Sequence, residues 1–418
     1  MKRLLTVFVI LMLASSVMPI LAEGGPQPVG IRPDAPLYAK HGPHWVGARE
    51  FAFMNGNQQI QIAVWYPAQN PANLLEEITY KYDTPPLGGS IEIPGHAIDN
   101  ALPDSSGGPY PLIVLSHGIG LHRFTAPMFT EHWASHGFVV VSVEHSDSNT
   151  LMWFSDYDGM IAGLSKSLFK RVEDVKSTLD FVETLTAKEG ALTGMIDMER
   201  IVAAGHIVGT ATALMLAGAR LDVDAFAEQC KLAEVIEAQT NTNTLGVCAE
   251  AVLNDAYTLS GTKPGSHMLG PLSSDPRIDA VIFLGNNGFF LTQETLAEVK
   301  VPVLLVSGTN QPGAIAAWYA SAIYKLLSNE SKTAITFREA SDQAFRYDCN
   351  NSLDKAFGAA MFNFCAESVW DKARVHDLTN HFTTAFLLDV LMGDKEAHKA
   401  LMPEAVTFPG VEYETTLK

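Results

Sequence analysis

The spacing of apolar positions changes along the chain in a repeating order. The runs Val46 to Phe53 and Gln59 to Tyr66 flank Met54-Asn55-Gly56-Asn57, and Asn-Gly between two such runs predicts a β-hairpin. Residues 69 to 109 are polar and rich in Pro and Gly, which predicts a long surface excursion. From Pro111-Leu112-Ile113-Val114-Leu115 onward the apolar runs become continuous, as in strands buried on both faces. Helical periodicity follows over 125–135, a strand over Phe138 to Val143 and a helix over 168–185. Further strands are predicted at Ala280 to Leu284, Val301 to Ser307 and Thr333 to Phe337, with helices over 314–327 and 372–392. This β/α alternation predicts an eight-stranded, mostly parallel sheet wrapped by helices in a single domain, residues 23–418. Two segments, 221–276 and 343–371, interrupt it and are expected to lie over the strand ends as a lid.

One stretch organises the rest. Ile201-Val202-Ala203-Ala204 runs into Gly205-His206-Ile207-Val208-Gly209 and then into small and apolar residues at helical spacing. Strand, Gly-x-x-x-Gly turn and helix make the nucleophile elbow of an α/β-hydrolase, where the glycines permit a tight turn and the central residue presents the nucleophile. Here the centre is Ile207, which has no nucleophilic atom. A β-branched residue is strained at the positive φ of such an elbow, so either the turn relaxes or packing around Ile207 holds the strain.

The chain begins Met1-Lys2-Arg3, continues with an apolar run to about Leu13, and reaches Ala22 after Ser15, Ser16 and Pro19. A basic end, a short apolar core and a small residue predict a secretory signal peptide over residues 1–22, hence export to a periplasmic or extracellular space. The run is too broken and short to favour a membrane anchor. The net charge of −18 opposes binding to nucleic acid or anionic lipid. The four cysteines, Cys230, Cys248, Cys349 and Cys365, fall into two local pairs. In an exported chain they are read most simply as disulfides Cys230–Cys248 and Cys349–Cys365, although four cysteines allow three pairings. Neither pair has zinc-site spacing, and the sequence calls for no cofactor.

Several blocks in register carry a resemblance: Val64-Trp65-Tyr66-Pro67-Ala68, Leu115-Ser116-His117-Gly118-Ile119-Gly120, Ala134-Ser135-His136-Gly137-Phe138 through Val143-Glu144-His145, Arg171-Val172-Glu173-Asp174-Val175, and the elbow. The chain resembles the α/β-hydrolases grouped with platelet-activating factor acetylhydrolase and the predicted dienelactone hydrolases. That resemblance implies hydrolysis of carboxylic esters or lactones by a Ser-His-Asp triad. The family's serine falls on Ile207. Its aspartate, in a Gly-x-x-Asp turn, falls on Gln311 of Gly308-Thr309-Asn310-Gln311, or less well on Asn310. Its histidine falls on Asp342 of Ala340-Ser341-Asp342-Gln343. The backbone oxyanion donors fall on Val208 and Ile119. All three triad positions are therefore substituted, and the resemblance implies a binding frame without its reacting groups.

Other polar residues stand near these positions. His206, Ser116 and His117 read as structural, and His376 and His381 as surface or packing residues of the last helix. Glu144, His145 and Asp147 form a cluster that either faces the pocket, where it would activate water, or caps strand ends. The function expected is therefore an exported, catalytically inactive pseudohydrolase that binds a small acyl or apolar ligand, or a partner, in the former active site. The alternatives are a carboxylic ester or lactone hydrolase with a non-standard residue set, and a structural role with the pocket closed by packing.

Overall fold

The computed structural model describes residues 34–85, 88–240, 246–285, 290–310, 318–347 and 367–418. Residues 1–22, Gln311, Cys349 and Cys365 lie outside them, as does most of 343–371.

The expected hairpin is β1 (Trp45–Asn55) and β2 (Gln58–Gln69), antiparallel with Asn55 opposite Gln58. Gly56 takes φ 60° in the turn, which a residue without Cβ adopts freely. The region 69–109 is not the plain surface excursion expected. It contains the hairpin β3 (Ile78–Thr84) and β4 (Gly89–Gly95), then two-residue strands β5 (Ile98–Asp99) and β6 (Leu102–Pro103). In β3 and β4 every second residue is buried, Tyr80, Tyr82, Ile91 and Ile93 among them, so one face of the hairpin covers the core.

The parallel part comprises β7 (Tyr110–Ser116), β8 (Val139–Val143), β9 (Ile196–His206), β10 (Ile278–Leu284), β11 (Val303–Gly308) and β12 (Lys332–Phe337). The sheet order is β13-β12-β11-β10-β9-β7-β8-β2-β1-β5, with β6 beside β2 and an antiparallel β13 (Val411–Thr415) at the far edge. The eight strands from β1 to β12 on this path are those the sequence predicts. Three short or terminal strands, β5, β6 and β13, raise the total to eleven among the described residues. The order reverses between β7 and β9, and the crevice outside such a switch point is where ligands bind in open α/β sheets.

Helices cover both faces. On one lie α4 (Leu164–Thr186), α5 (Val208–Leu216), α6 (Val223–Thr240) and α7 (Glu250–Ser260). Preceding α4 are the short helices α2 (Thr150–Ser155) and α3 (Tyr157–Ala162). On the other face lie α1 (Pro127–Ser135) and α9 (Lys372–Met392). The helix expected over 314–327 is described as α8 (Ala320–Leu326), and α10 (Lys395–Ala400) packs on α9. Segment 221–276 is therefore largely helical, with α7 packed on α4. The disulfide Cys230–Cys248 ties α6 to the loop before α7, as expected. Among the described residues, no helix is long and apolar enough to cross a membrane.

The chain entering β1 is held by imidazoles. His132 Nε2 donates to the Tyr38 carbonyl at 2.8 Å, His136 Nε2 to that of Lys40 at 2.9 Å, and Tyr38 N–H donates to His381 Nδ1 at 3.2 Å. His381 is thus a buried packing residue. Burial holds His132 well below the ordinary range, and holds His136 and His381 at about 4; nearby positive charge adds to the effect on His381.

These histidines predict acid sensitivity. Between pH 6.5 and about 4 the unfolded chain binds protons at His136 and His381 that the folded chain refuses, so stability is present above that window and falls with pH through it. Four groups oppose the trend. Burial raises Glu131 to about 7 and lifts Asp174 above its ordinary value, Glu76 raises His41 despite burial, and Asp389 raises His398. Eight depressed histidines, His44, His117, His122, His132, His136, His145, His206 and His381, outweigh them. Urea midpoints are expected to be lower at pH 5 than at pH 7, and equal midpoints would refute this account.

Candidate active site

The elbow keeps a hydrolase turn around a residue that cannot react. Ile207 sits between β9 and α5 with φ 51° and ψ −116°, so the turn has not relaxed. Such a conformation costs about 1–3 kcal/mol and persists only when its surroundings over-determine it. They do so here. Ile207 N–H donates to the Leu284 carbonyl at 2.9 Å, and the Ile207 carbonyl accepts from Thr210 N–H at 2.9 Å. The flanking glycines are required by contact. A Cβ on Gly205 would stand 2.1 Å from the Gly209 carbonyl oxygen, and one on Gly209 would stand 1.9 Å from that of Ser116.

The residues that the resemblance assigned to the site converge as follows. Ile207 is partly buried and packs on the core. A Cβ on Gly118 would lie 3.2 Å from Ile207 Cβ, so the loop after β7 runs against the elbow. A Cβ on Gly285, at the end of β10, would lie 3.4 Å from Asp342 Oδ1 and 3.5 Å from Ile207 Cγ1. Asp342 and Ile207 therefore both come within contact distance of the point where a Gly285 side chain would begin. Asp342 is 1% exposed and opens the short helix Asp342–Phe345 after β12. Val208 occupies the first position of α5, where a backbone N–H has no intrahelical acceptor. Ile119 is partly buried against the same core as Ile207. The third triad position, Gln311, falls outside the described residues.

Beneath the loop after β7 lies a polar chain the sequence did not foretell in this form. Ser116 Oγ donates to His145 Nε2 at 2.9 Å, and His145 Nδ1 donates to Asp174 Oδ2 at 3.1 Å. The connectivity is that of a Ser-His-Asp triad, but its environment is not. Ser116, His145 and Asp174 are 2%, 0% and 1% exposed, which leaves no room for a substrate. Burial and the charges of Arg171 and Lys170 hold His145 well below its ordinary value, so it is a poor base for taking the serine proton.

The chain instead aims the loop. Arg171, itself buried, donates to the His117 carbonyl, to Gly118 O at 3.5 Å and to Ser148 Oγ at 2.9 Å. Burial lowers its pKa only to about 10, so it stays charged near neutrality. His145 N–H donates to His117 Nε2 at 3.0 Å and His117 Nδ1 to Gly118 O at 2.7 Å, which fixes the His117 tautomer. Ser116 and His117 are structural, as expected.

Of the two readings of the Glu144, His145 and Asp147 cluster, capping of strand ends fits the structure. Glu144 accepts from Tyr82 Oη and Asn149 Nδ2 at one oxygen, both at 2.9 Å, and from Arg123 N–H at 2.9 Å at the other. Asp147 accepts from the Ser148 and Ser167 hydroxyls. A carboxylate so occupied has little capacity left to activate water. Among the described residues no cluster of His, Cys, Asp or Glu is arranged to hold a metal.

Two imidazoles nearby stand out because their polar atoms are unmatched. His122 and His206 are each 1% exposed. His122 Nδ1 accepts from Phe124 N–H, so Nε2 carries the proton, and it finds no acceptor among the described residues. Neither ring nitrogen of His206 has a partner there. Each unmatched buried group costs about 1–3 kcal/mol. Burial and the nearby Arg346 charge lower His206 to about 3, so the ring is neutral. His206 is therefore a buried, neutral imidazole without a hydrogen bond among the described residues, which sequence alone gave no sign of, since pairing is a property of the fold.

The sheet order, the elbow and the loop beside it define the α/β-hydrolase fold. The ferulic acid esterase from Streptomyces cinnamoneus shares it, with a TM-score of 0.54 and 20% identity over 88% of this chain and 95% of that one. More particularly, parts of the chain are similar to platelet-activating factor acetylhydrolases. The family model for platelet-activating factor acetylhydrolase, isoform II, matches residues 87–159. The enzyme of that name from Cavia porcellus is 26% identical over 222 residues, 42% of this chain and 50% of its own length. The one from Bos taurus is 37% identical over 68 residues, 16% of this chain and 15% of its own length. The chain thus spans half the length, or less, of these relatives.

The close approach at the elbow makes Gly209→Ala a sharp test. The added methyl meets the backbone at Ser116, which cannot yield like the end of a side chain, so a loss beyond about 3 kcal/mol is expected. Gly89→Ala, where the added atom meets nothing within 4 Å, is expected to change stability by less than about 0.5 kcal/mol. Chemical denaturation of the two variants checks the contrast, and similar losses in both would show that the approach is not tight.

Proposed function

We propose that this chain is an exported α/β-hydrolase-fold protein of ester-hydrolase ancestry that no longer cleaves esters. It binds a small acyl or apolar ligand where the reacting carbonyl would sit. The observation that carries this reading is Ile207 at the centre of a strained elbow, with the backbone of Gly118 against it and Asp342 near the same point of Gly285. A hydrolase needs a nucleophile there and a base beside it, and Ile and Asp supply neither of the family's groups. An apolar side chain at that point favours an apolar or acyl-bearing occupant. The disulfide Cys230–Cys248 supports export, because such bonds persist in oxidising compartments.

A second reading, a carboxylic ester or lactone hydrolase with a non-standard residue set, draws its support from Asp342, a buried carboxyl at the same point. It lacks a nucleophile, and the neighbouring polar clusters are bound up in structural hydrogen bonds.

Hydrolysis of p-nitrophenyl butyrate separates the two. Residues 23–418 are expected to give at most the ~10³–10⁴-fold acceleration over water that an oxyanion site and binding leave once a triad is removed. The variant carrying Ile207→Ser, Gln311→Asp and Asp342→His is expected to exceed it by several orders of magnitude. Native turnover at the level of an ordinary esterase, with kcat of about 1 s⁻¹ or more, would overturn the first reading.

A further inference from the structure

The turn Leu37–Ala39, which precedes β1, rests on α9 and is joined to α1 by imidazoles. Its bonds differ in what a proton does to them. His132 and His136 donate from Nε2 to the carbonyls of Tyr38 and Lys40, and a ring protonated at its other nitrogen goes on donating. His381 is the reverse case. Its Nδ1 accepts from Tyr38 N–H at 3.2 Å, so a proton on Nδ1 sets one N–H against another and ends the bond. The His381 ring is packed by those of Tyr38 at 5.7 Å, Phe382 at 5.2 Å and Phe408 at 5.8 Å. The charged groups that bear on it are Arg374 of its own helix and His132 of α1, both positive when ionised, while Asp394 and Glu396 of α10 act on the Tyr38 hydroxyl. The chain on either side is held by bonds of another kind. Arg374 donates to the Asp34 carbonyl at 2.9 Å, and Gly42 N–H donates to Ser135 Oγ at 2.9 Å. His41 lies 3.2 Å from Glu76 Oε2, a pair that protonation of His41 strengthens.

We propose that residues 35–40 are a proton-operated flap: a proton on His381 lifts Tyr38 from its seat between α1 and α9, while the anchors on both sides and the fold beneath stay in place. The lifted flap uncovers the rings of His381, Phe382 and Phe408, an aromatic surface that the closed flap covers at neutral pH. This inference is independent of what the elbow binds. Lifting exposes one buried side chain of the turn, Tyr38, and so costs far less than unfolding the sheet. The closed flap refuses the proton and the open one takes it, so closure is most favoured above pH 6.5 and weakens as pH falls toward about 4. His132 and His136, with rings 4.8 Å apart, act in the same direction, since two cations there repel. His41 acts against it, from the anchored side.

The test is amide hydrogen exchange of the protein at pH 7 and pH 5, read by mass spectrometry and corrected for the intrinsic effect of pH on exchange. A shift of His381 from 6.5 to about 4 makes the flap about 20-fold easier to lift at pH 5 than at pH 7. Peptides covering residues 36–40 are therefore expected to lose at least that much protection, while those covering 42–46 and the β7 strand keep theirs. His381→Asn places an acceptor oxygen where Nδ1 stood and cannot take up the proton, and it is expected to cut the loss by about the same factor. Because that variant changes a buried position, Tyr38→Ala is followed as well by NMR of ¹³C-labelled histidine. Emptying the seat is expected to bring the His381 titration up from about 4 toward the ordinary 6.5. Unchanged protection of 36–40, equal loss in β7, an undiminished loss in His381→Asn, or an unmoved His381 titration in Tyr38→Ala would each overturn the proposal.

Discussion

The structure depends on one close approach of backbone to backbone. The β9–α5 turn fits against β7 only because Gly205 and Gly209 present no Cβ, Gly209 lying where any side chain would enter the Ser116 carbonyl. That approach fixes where α5 begins, and so where the Val208 N–H points and where the centre of the elbow must stand. Ile207 then has little choice. Relaxing its φ of 51° would move α5, and α5 carries a continuous run of buried residues from Val208 to Leu216. A local strain of about 1–3 kcal/mol is small beside the burial of such a helix. The persistence of an active-site conformation at a residue that cannot react is therefore a packing result, and it does not by itself require selection for a site.

The polar groups around the elbow divide by the same logic. Arg171, His145, Asp174, Ser116 and Glu144 are nearly all engaged, and what they engage is the backbone and side chains of the loops after β7 and β8. A buried charge such as Arg171 is tolerable because two carbonyl oxygens and two hydroxyls surround it. This explains how a Ser-His-Asp connection arises without catalysis. The serine and histidine are where a strand end and its neighbour bring them, and the aspartate lies on the helix covering both. Geometry alone would name it a triad. Burial and the adjacent cations decide otherwise.

Much of the fold was legible in the sequence because it was written in periodicity. Continuous runs such as Leu112 to Leu115 mark strands covered on both faces, and the spacing around Lys372–Met392 gave that helix its full extent. The β3–β4 hairpin was missed although its signal was present. Ile78-Thr79-Tyr80-Lys81-Tyr82 alternates as a half-buried strand does, but Pro and Gly on either side led the segment to be read as loop. At the site, the elbow was legible from its glycines, and Ile207 and Asp342 both lie beside Gly285. Gln311 falls outside the described residues, so the acid position has no structural counterpart here. The bonding of Ser116 to His145, and of His145 to Asp174, was not legible, because residues 29 apart meet only through the sheet order and the helix packed on it.

His206 shows how the two kinds of information combine. Its sequence neighbours place it beside the elbow, and the family pattern makes a histidine there unremarkable. Its environment makes it costly, since a neutral imidazole always carries one N–H and this one has neither donor nor acceptor matched among the described residues. In Ser116, His117 and His145 the polar side-chain atoms are bonded to one another, to the loop backbone and to Asp174. The contrast separates polar groups that hold the frame from polar groups that the frame buries without a partner among the described residues.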